Sequence, residues 1–241
     1  MSESLPRWTD LSADPNTGSV LALNQRMLDA SRRSPVANRN RYLAELAQGR
    51  RVLDVGGVEH TRQAREAGRW LHRHLVDAAA ACVGVDVLAD EVRALQSEGY
   101  DVRLHDITEA ALPEKFDLVV AGEIVEHLGS PEALLRNARA MLLPGGRLVL
   151  TTPNPYMLHR AWRGLRGEFR ESADHVTLFG PSHLLELGRR CGLRLVCWRG
   201  VELRITRTPR GRVVGHARRA LSRTIFRPEI NCETMIYEFT E

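Results

Sequence analysis

Of the 34 basic residues in this 241-residue chain, lysine supplies one, Lys115. Arginine chosen for nucleic acid would come with interleaved aromatics for base stacking. Aromatics are only 5% of the chain and do not interleave with the arginine cluster Arg204, Arg207, Arg210, Arg212, Arg218, Arg219, Arg223 and Arg227. Nucleic acid is therefore not an expected partner, and the net charge of +4 is a mild excess. Cysteine is scarce too. Cys82, Cys191, Cys197 and Cys232 form no CxxC pair, which argues against zinc or a disulfide framework and for free thiols. No apolar run approaches the roughly 18 residues of a membrane span. The N-terminus lacks a basic region followed by an apolar one, so no signal peptide is expected and the location expected is cytoplasmic. A GxGxxG turn is missing as well, which disfavours a seat for a dinucleotide pyrophosphate.

What remains is an ordinary globular composition, 43% hydrophobic and 27% charged. Apolar runs with strand character lie at Arg51–Val55, Cys82–Asp86, Tyr100–Leu104, Phe116–Ala121 and Arg147–Thr152, with two more at Arg194–Val201 and Cys232–Thr240. Helical spacing or helix punctuation marks Ser19–Arg33, Asn38–Gln48, Thr61–Asp77, Leu88–Ser97, Pro131–Leu143 and Pro181–Arg190. Regular alternation predicts an α/β fold. The expected form is a Rossmann-like, mostly parallel seven-stranded sheet with helices on both faces and an antiparallel edge hairpin. One domain, 1–241, is expected. It divides into a helical N-terminal lid (1–48), a core (50–155), an acceptor-side segment (156–192) and edge strands with an arginine-rich connection (193–241).

In such sheets ligands bind beyond the C-terminal strand ends. Those ends carry Asp54, Gly56 and Gly57, then Asp86, Asp106, and finally Gly122 and Glu123. Glycines admit close backbone approach. An acidic residue ending the second strand can take both hydroxyls of a ribose, and Asp106 can accept from an adenine amino group. A cationic centre would be at ease near Asp54 and Glu123. These are the needs of a positively charged nucleoside.

The ordered series VLDVGG, VGVDV, LHDI, FDLVVAGEIVEHL and LLPGGRLVLTTPN resembles the motifs of class I S-adenosylmethionine-dependent methyltransferases over about residues 50 to 155. The resemblance implies S-adenosylmethionine as cofactor. Asp54, Gly56 and Gly57 would line its methionine portion, and Asp86 with Val87 its ribose. Asp106 and Ile107 would flank the adenine, while Gly122 and Glu123 would close the pocket. Two departures stand out. The turn continues Gly57-Val58-Glu59-His60 without further glycines, and 32 residues separate Asp54 from Asp86, the extra length holding Arg69-Trp-Leu-His-Arg-His74. The VGGVEH turn with its WLH helix is similar to a branch acting in sugar and polysaccharide biosynthesis. The expected acceptor is thus a sugar or glycan hydroxyl, on a small molecule or oligosaccharide, with RNA or a phenolic metabolite as alternatives. A non-catalytic binding protein of the same fold is the reading from another class.

A hydroxyl acceptor needs a general base. His175, in the segment after the fifth strand, is the first candidate and His127 the second, with Asp174 assisting. Asn154, Tyr156 and His159 are expected to touch the acceptor. Glu123, Glu126 and Asp174 offer oxygens to a magnesium ion, but their spacing is no metal signature and no metal ligand is assigned. The arginines of 204–227 would lie near the acceptor or in a homodimer contact.

Overall fold

The computed structural model describes residues 7–59, 65, 68–202 and 227–241. Seven strands run β1 (Arg51–Val55), β2 (Ala81–Asp86), β3 (Val102–Leu104), β4 (Phe116–Gly122), β5 (Leu142–Pro153), β6 (Arg194–Glu202) and β7 (Cys232–Thr240). They form one sheet in the order β3-β2-β1-β4-β5-β7-β6. The pairs among β1 to β5 are parallel, and β7 is antiparallel to both β5 and β6. The expected doubly covered α/β sheet with an antiparallel edge is the fold observed.

Side chains alternate across a strand, so each strand feeds two cores. Leu53, Val55, Val119, Ala121, Leu148 and Leu150 point to one side, under α5 (Pro131–Ala140) and α7 (Pro181–Arg190). Val52, Leu118, Val120 and Val149 point to the other, under α2 (Arg39–Ala47) and α3 (Leu71–Ala78). Burial of both faces explains why β1 and β4 read as near-continuous apolar runs. Each of these fully buried Val or Leu side chains contributes about 1.5–3 kcal/mol from water exclusion.

Local chemistry sets the helix ends. Asn38 caps α2, its side-chain oxygen accepting from the Arg41 amide at 3.1 Å. Pro131 and Pro181 open α5 and α7 in the first turn, where no amide hydrogen is missed. The helix α4 (Ala89–Ser97) is stopped by Gly99, which takes a φ of 91°. At the N-terminus α1 (Gly18–Ser31) lies against the edge strand β6, where the Leu28 carbonyl accepts from the Trp198 indole at 2.8 Å. Residues 32–36 then run beside β6 through Arg33 N to Trp198 O and Val36 N to Gly200 O, both 2.9 Å. That run covers an otherwise open sheet edge.

Three expectations need correction. The single helix expected over Thr61–Asp77 is interrupted: Arg65 is helical, but Gly68 takes a φ of 66° and Arg69 and Trp70 are non-helical before α3 begins at Leu71, while 60–64 and 66–67 fall outside the described residues. The turn expected at Pro144–Gly146 is part of β5, which starts at Leu142 paired with Phe116 and then shifts register. A helix, α6 (Leu158–Leu165), stands in the acceptor-side segment where none was expected. Of the arginine cluster, Arg204 to Arg223 lie outside the described residues, and Arg227 lies within them. All four cysteines are free.

Candidate functional site

From β1 the chain crosses outward to β2 and β3, and from β4 it goes the other way to β5, so the strand order reverses between β1 and β4. Connecting loops part at such a reversal and leave a crevice at the C-terminal strand ends. Here it is a cleft of about 350 Å³. Gly56, Asp86, Val87, Asp106, Ile107 and Glu123 of the expected cofactor residues line it, together with His127 and Asp174.

Gly56 turns the chain with a φ of 74°, its amide bonded to the Val85 carbonyl at 2.9 Å. A Cβ there would stand 2.2 Å from Ile124 Cδ1, so the turn leaves room for no side chain. Asp54 and Gly57 do not line the cleft and lie behind this turn. The Asp54 carboxylate is 2% exposed and meets His72 Nδ1 at 3.0 Å. His72 is wholly buried on the first turn of α3, and the neighbouring Trp70 indole donates to the Gly57 carbonyl at 2.7 Å. A Cβ on Gly57 would come within 3.3 Å of both Asp54 Oδ2 and His72 Nδ1, and one on Gly84 within 2.9 Å of the His72 ring. Two glycines therefore make the space in which an Asp–His pair and an indole hold the loop from beneath. Sequence reasoning marked the Trp-Leu-His stretch and missed this use of it.

At the end of β2, Asp86 Oδ2 accepts from the Val58 amide at 3.2 Å and Oδ1 from the Leu88 amide at 3.1 Å. Each carboxylate oxygen has two lone pairs, so both can still receive a ligand hydroxyl. Val87 is exposed and Ile107 is buried, giving the cleft apolar wall on both sides. Asp106 caps its own turn through the Thr108 hydroxyl and amide, each 2.7 Å from Oδ1, and those bonds hold its pKa below the usual carboxylate range.

At the end of β4, Gly122 does not line the cleft and packs against Leu71 of α3, whose Cδ2 a Cβ there would meet at 2.8 Å. Glu123 is left-handed, with a φ of 58°, the one non-glycine residue so placed among those described. Such strain persists only where its surroundings impose it. Here the Thr151 carbonyl and hydroxyl hold the Glu123 amide and carboxylate, and Arg39 stands 3.4 Å from Oε1.

The chain then makes a short 3-10 turn, Val125–His127, and the segment after β5 is fastened to it. The Val176 and Thr177 amides donate to the Glu126 carbonyl at 2.9 and 3.3 Å. That contact puts His175 against His127, ring centroids 4.7 Å apart and edge to face. His127 Nδ1 is 3.0 Å from Asp174, whose pKa is held down chiefly by the Ser172 hydroxyl. Glu126 lies beneath them, fully buried, with neither side-chain oxygen in a hydrogen bond of ordinary geometry. Burial, and then the charge of Glu123, push its pKa up to about 7, against a smaller pull from Thr152 and Arg39. One ligand-type atom from each of Glu126, His127 and His175 lies within 4.8 Å of the others. Both histidine candidates thus meet at the mouth of the cleft. The carboxylate that joins them is Glu126, while Glu123 turns instead to Thr151 and Arg39.

The three expected acceptor contacts do not come together. Asn154 is 2% exposed and spends its amide on the Glu229 and Cys232 carbonyls at 2.8 and 2.9 Å, while its oxygen takes the Tyr156 amide at 3.0 Å. Tyr156 is exposed and lines a separate cavity of about 470 Å³ beside α1 and β7. His159 is exposed on α6. No described helix is long and apolar enough to cross a membrane.

Comparison with known proteins adds to this geometry. A family model described as "Methyltransferase domain" matches residues 27–197. Curated relatives include the ubiquinone biosynthesis O-methyltransferases of Pseudomonas entomophila, 31% identical over 46% of this chain and 49% of that protein, and of Aeromonas salmonicida, 26% identical over 60% and 63%. The chain therefore spans about half to under two thirds of the length of these relatives. Among solved structures, an S-adenosylmethionine-dependent methyltransferase of Archaeoglobus fulgidus is 17% identical with a TM-score of 0.54, covering 92% of this chain and 94% of that one. The magnesium protoporphyrin IX methyltransferase of Synechocystis with bound SAH is 14% identical with a TM-score of 0.55, over 96% and 91%.

Proposed function

The chain belongs to the class I S-adenosylmethionine-dependent methyltransferase family, and from that premise we propose that it methylates the hydroxyl oxygen of a small aromatic acceptor. The observation that carries the proposal is the meeting of His127, His175 and Asp174 at the mouth of the cleft that Gly56 and Asp86 line.

The cleft fits the cofactor on its own features. Gly56 presents bare backbone, Asp86 presents a carboxylate steadied by two amides, and Ile107 offers an apolar wall. S-adenosylmethionine supplies an electrophilic methyl group on a positively charged sulfur. Around it Asp86 would hold the ribose hydroxyls. Asp106, tied to Thr108 through Oδ1, would meet the adenine edge, and Glu123 would add negative charge on the far wall. Asp54 would act through His72, by fixing the loop that carries Gly56.

The acceptor hydroxyl must lose its proton as its oxygen attacks, and a positioned base typically contributes 10² to 10⁴ in rate. His127, oriented by Asp174, and His175 are the groups available at the mouth. Alignment of the two reactants, fixed by the bonds from Val176 and Thr177 to the 3-10 turn, would supply much of the remainder.

A phenolic hydroxyl fits better than the sugar expected from the Trp-Leu-His stretch. Trp70 and His72 hold the glycine turn from beneath, so they carry no information about the acceptor. The curated relatives are named for ubiquinone biosynthesis, and Val176, next to His175, is an exposed apolar residue that an aromatic ring could cover. The test is a panel of catechols, monosaccharides, oligosaccharides, small amines and RNA incubated with the purified chain and methyl-labelled cofactor. Label on a phenolic oxygen is expected. Turnover confined to sugars would overturn the aromatic assignment, and turnover confined to amines would overturn oxygen methylation.

A further inference from the structure

After Gly57 the turn that follows β1 has no further glycine, and its backbone is held by residues from elsewhere in the chain. Val58 is 9% exposed and packs with Trp70, Val92, Leu95 and Val102 in a small core apart from the two that flank the sheet. Trp70 meets Tyr100 edge to face at 4.9 Å, carries the Arg65 guanidinium 4.7 Å from its ring centroid, and donates its indole hydrogen to the Gly57 carbonyl. His72 stands beside it, ring centroids 5.3 Å apart, wholly buried against Asp54. An ionised carboxylate only accepts, so Nδ1 carries the hydrogen of that bond. Nε2 is buried with no partner, and a hydrogen there would be an orphaned donor. The geometry therefore selects the neutral imidazole protonated at Nδ1. Neither Trp70 nor His72 lines the cleft.

We propose that His72 and Trp70 are positioning residues for the cofactor, setting its affinity through the backbone of Gly56 and Gly57 without touching it. Glycine visits more of φ/ψ space than other residues, so a turn built on two of them spends time in shapes that do not fit a ligand. A ligand that binds one shape loses affinity in proportion to the time spent in the others. Asp54 precedes the turn and the Gly57 carbonyl lies within it, so bonds at these two points bracket Gly56 at its φ of 74°. Both bonds come from the start of α3, where Trp70 is the N-cap and His72 lies in the first turn, so the helix fixes the turn as one unit. The inference rests on the reading of the cleft as the S-adenosylmethionine site.

The test measures, on the purified full chain, calorimetric affinity for S-adenosylmethionine and for its demethylated product. The melting temperature without ligand and the kcat and cofactor KM with catechol are measured alongside. His72→Leu removes the donor, His72→Asn keeps one near the place of Nδ1, and Trp70→Phe keeps a ring while removing the indole hydrogen. His72→Leu should weaken both ligands at least about tenfold and Trp70→Phe about threefold, as a turn competent for a tenth or a third of the time would. His72→Asn should recover most of the loss. In all three variants kcat at saturating cofactor should stay within about twofold while cofactor KM rises, the mark of lost binding and not of lost chemistry. Normal affinity in a folded His72→Leu, or equal losses in folded His72→Leu and His72→Asn, overturns the positioning role, as does a fall in kcat with affinity intact. Should His72→Leu fail to fold, unchanged affinity in Trp70→Phe overturns it alone. An unmutated chain that binds neither ligand would remove the cofactor reading itself, whereas normal binding in both the unmutated chain and the variants removes this inference only.

Discussion

Two carboxylates at neighbouring strand ends do different work because their surroundings differ. Asp86 faces the cleft with spare lone pairs, whereas Asp54 is buried and committed to His72. Charge-assisted hydrogen bonds are about twice as strong as neutral ones. Asp86→Ala should therefore weaken S-adenosylmethionine binding at least about tenfold by calorimetry, and unchanged affinity would remove the ribose assignment. His175 belongs to the other half of the site. It lies beyond β5, away from the Gly56 and Asp86 wall, so His175→Ala should lower turnover by about a hundredfold with cofactor affinity nearly intact. A loss of cofactor affinity equal to the loss in turnover would assign His175 to the cofactor pocket. His127→Ala is the companion measurement, since a larger loss there makes His127 the principal group at the mouth.

At the scale of single elements, the β1 turn depends on both conformation and space. Gly56→Ala asks an L residue to adopt a φ of 74°, at a cost of about 1–2 kcal/mol, and drives its Cβ into the Ile124 side chain. Ile124 also lines the cleft, so its displacement would disturb the pocket wall. The variant should melt about 2–8 °C lower, at 2–4 °C per kcal/mol for a domain near this size, and should bind cofactor more weakly. An unchanged melting temperature with normal affinity would mean that the turn is not held as described. The strand ends Asp86 and Asp106 and the turn at Gly56 are legible in the sequence, because apolar runs ending in Asp or Gly depend on local order alone. Other features depend on tertiary contact. Nothing within a few residues of Asp54 announces that His72, eighteen positions on, will close against it. Glu126 looks like a solvated residue in Val-Glu-His until α5, β5 and the 176–177 segment bury it. Asn154 follows the same logic in reverse: a polar residue after a strand looks free for a ligand, yet the backbone of 229–232 uses it up. The helix α6 escaped notice because Leu158, Trp162 and Leu165 repeat at helical spacing toward solvent and not toward a core.

Across the whole molecule, binding in the crevice ties together elements that come from distant parts of the chain. The cleft draws residues from the loops after β1, β2, β3 and β4 and from the segment after β5, and Arg39 of α2 reaches Glu123 from the opposite layer. Unfolding separates all of them, so a ligand held there is bound by the native state alone. Such a ligand stabilises by RT ln(1 + [L]/Kd), about 2.7 kcal/mol at a hundredfold excess over Kd. At 2–4 °C per kcal/mol this predicts a rise of about 5–10 °C in melting temperature with saturating S-adenosylmethionine. The demethylated product should act similarly, because the contacts expected from Asp86, Asp106 and Ile107 involve the nucleoside and not the methyl group. NADH should produce no shift, since the single Gly56-Gly57 turn followed by Val58 gives a pyrophosphate no seat. Differential scanning fluorimetry with the three ligands decides the matter. A shift with NADH and none with S-adenosylmethionine would assign the crevice to a dinucleotide. A shift with the cofactor that also persists in Asp86→Ala at the same ligand concentration would move its binding away from the β2 end.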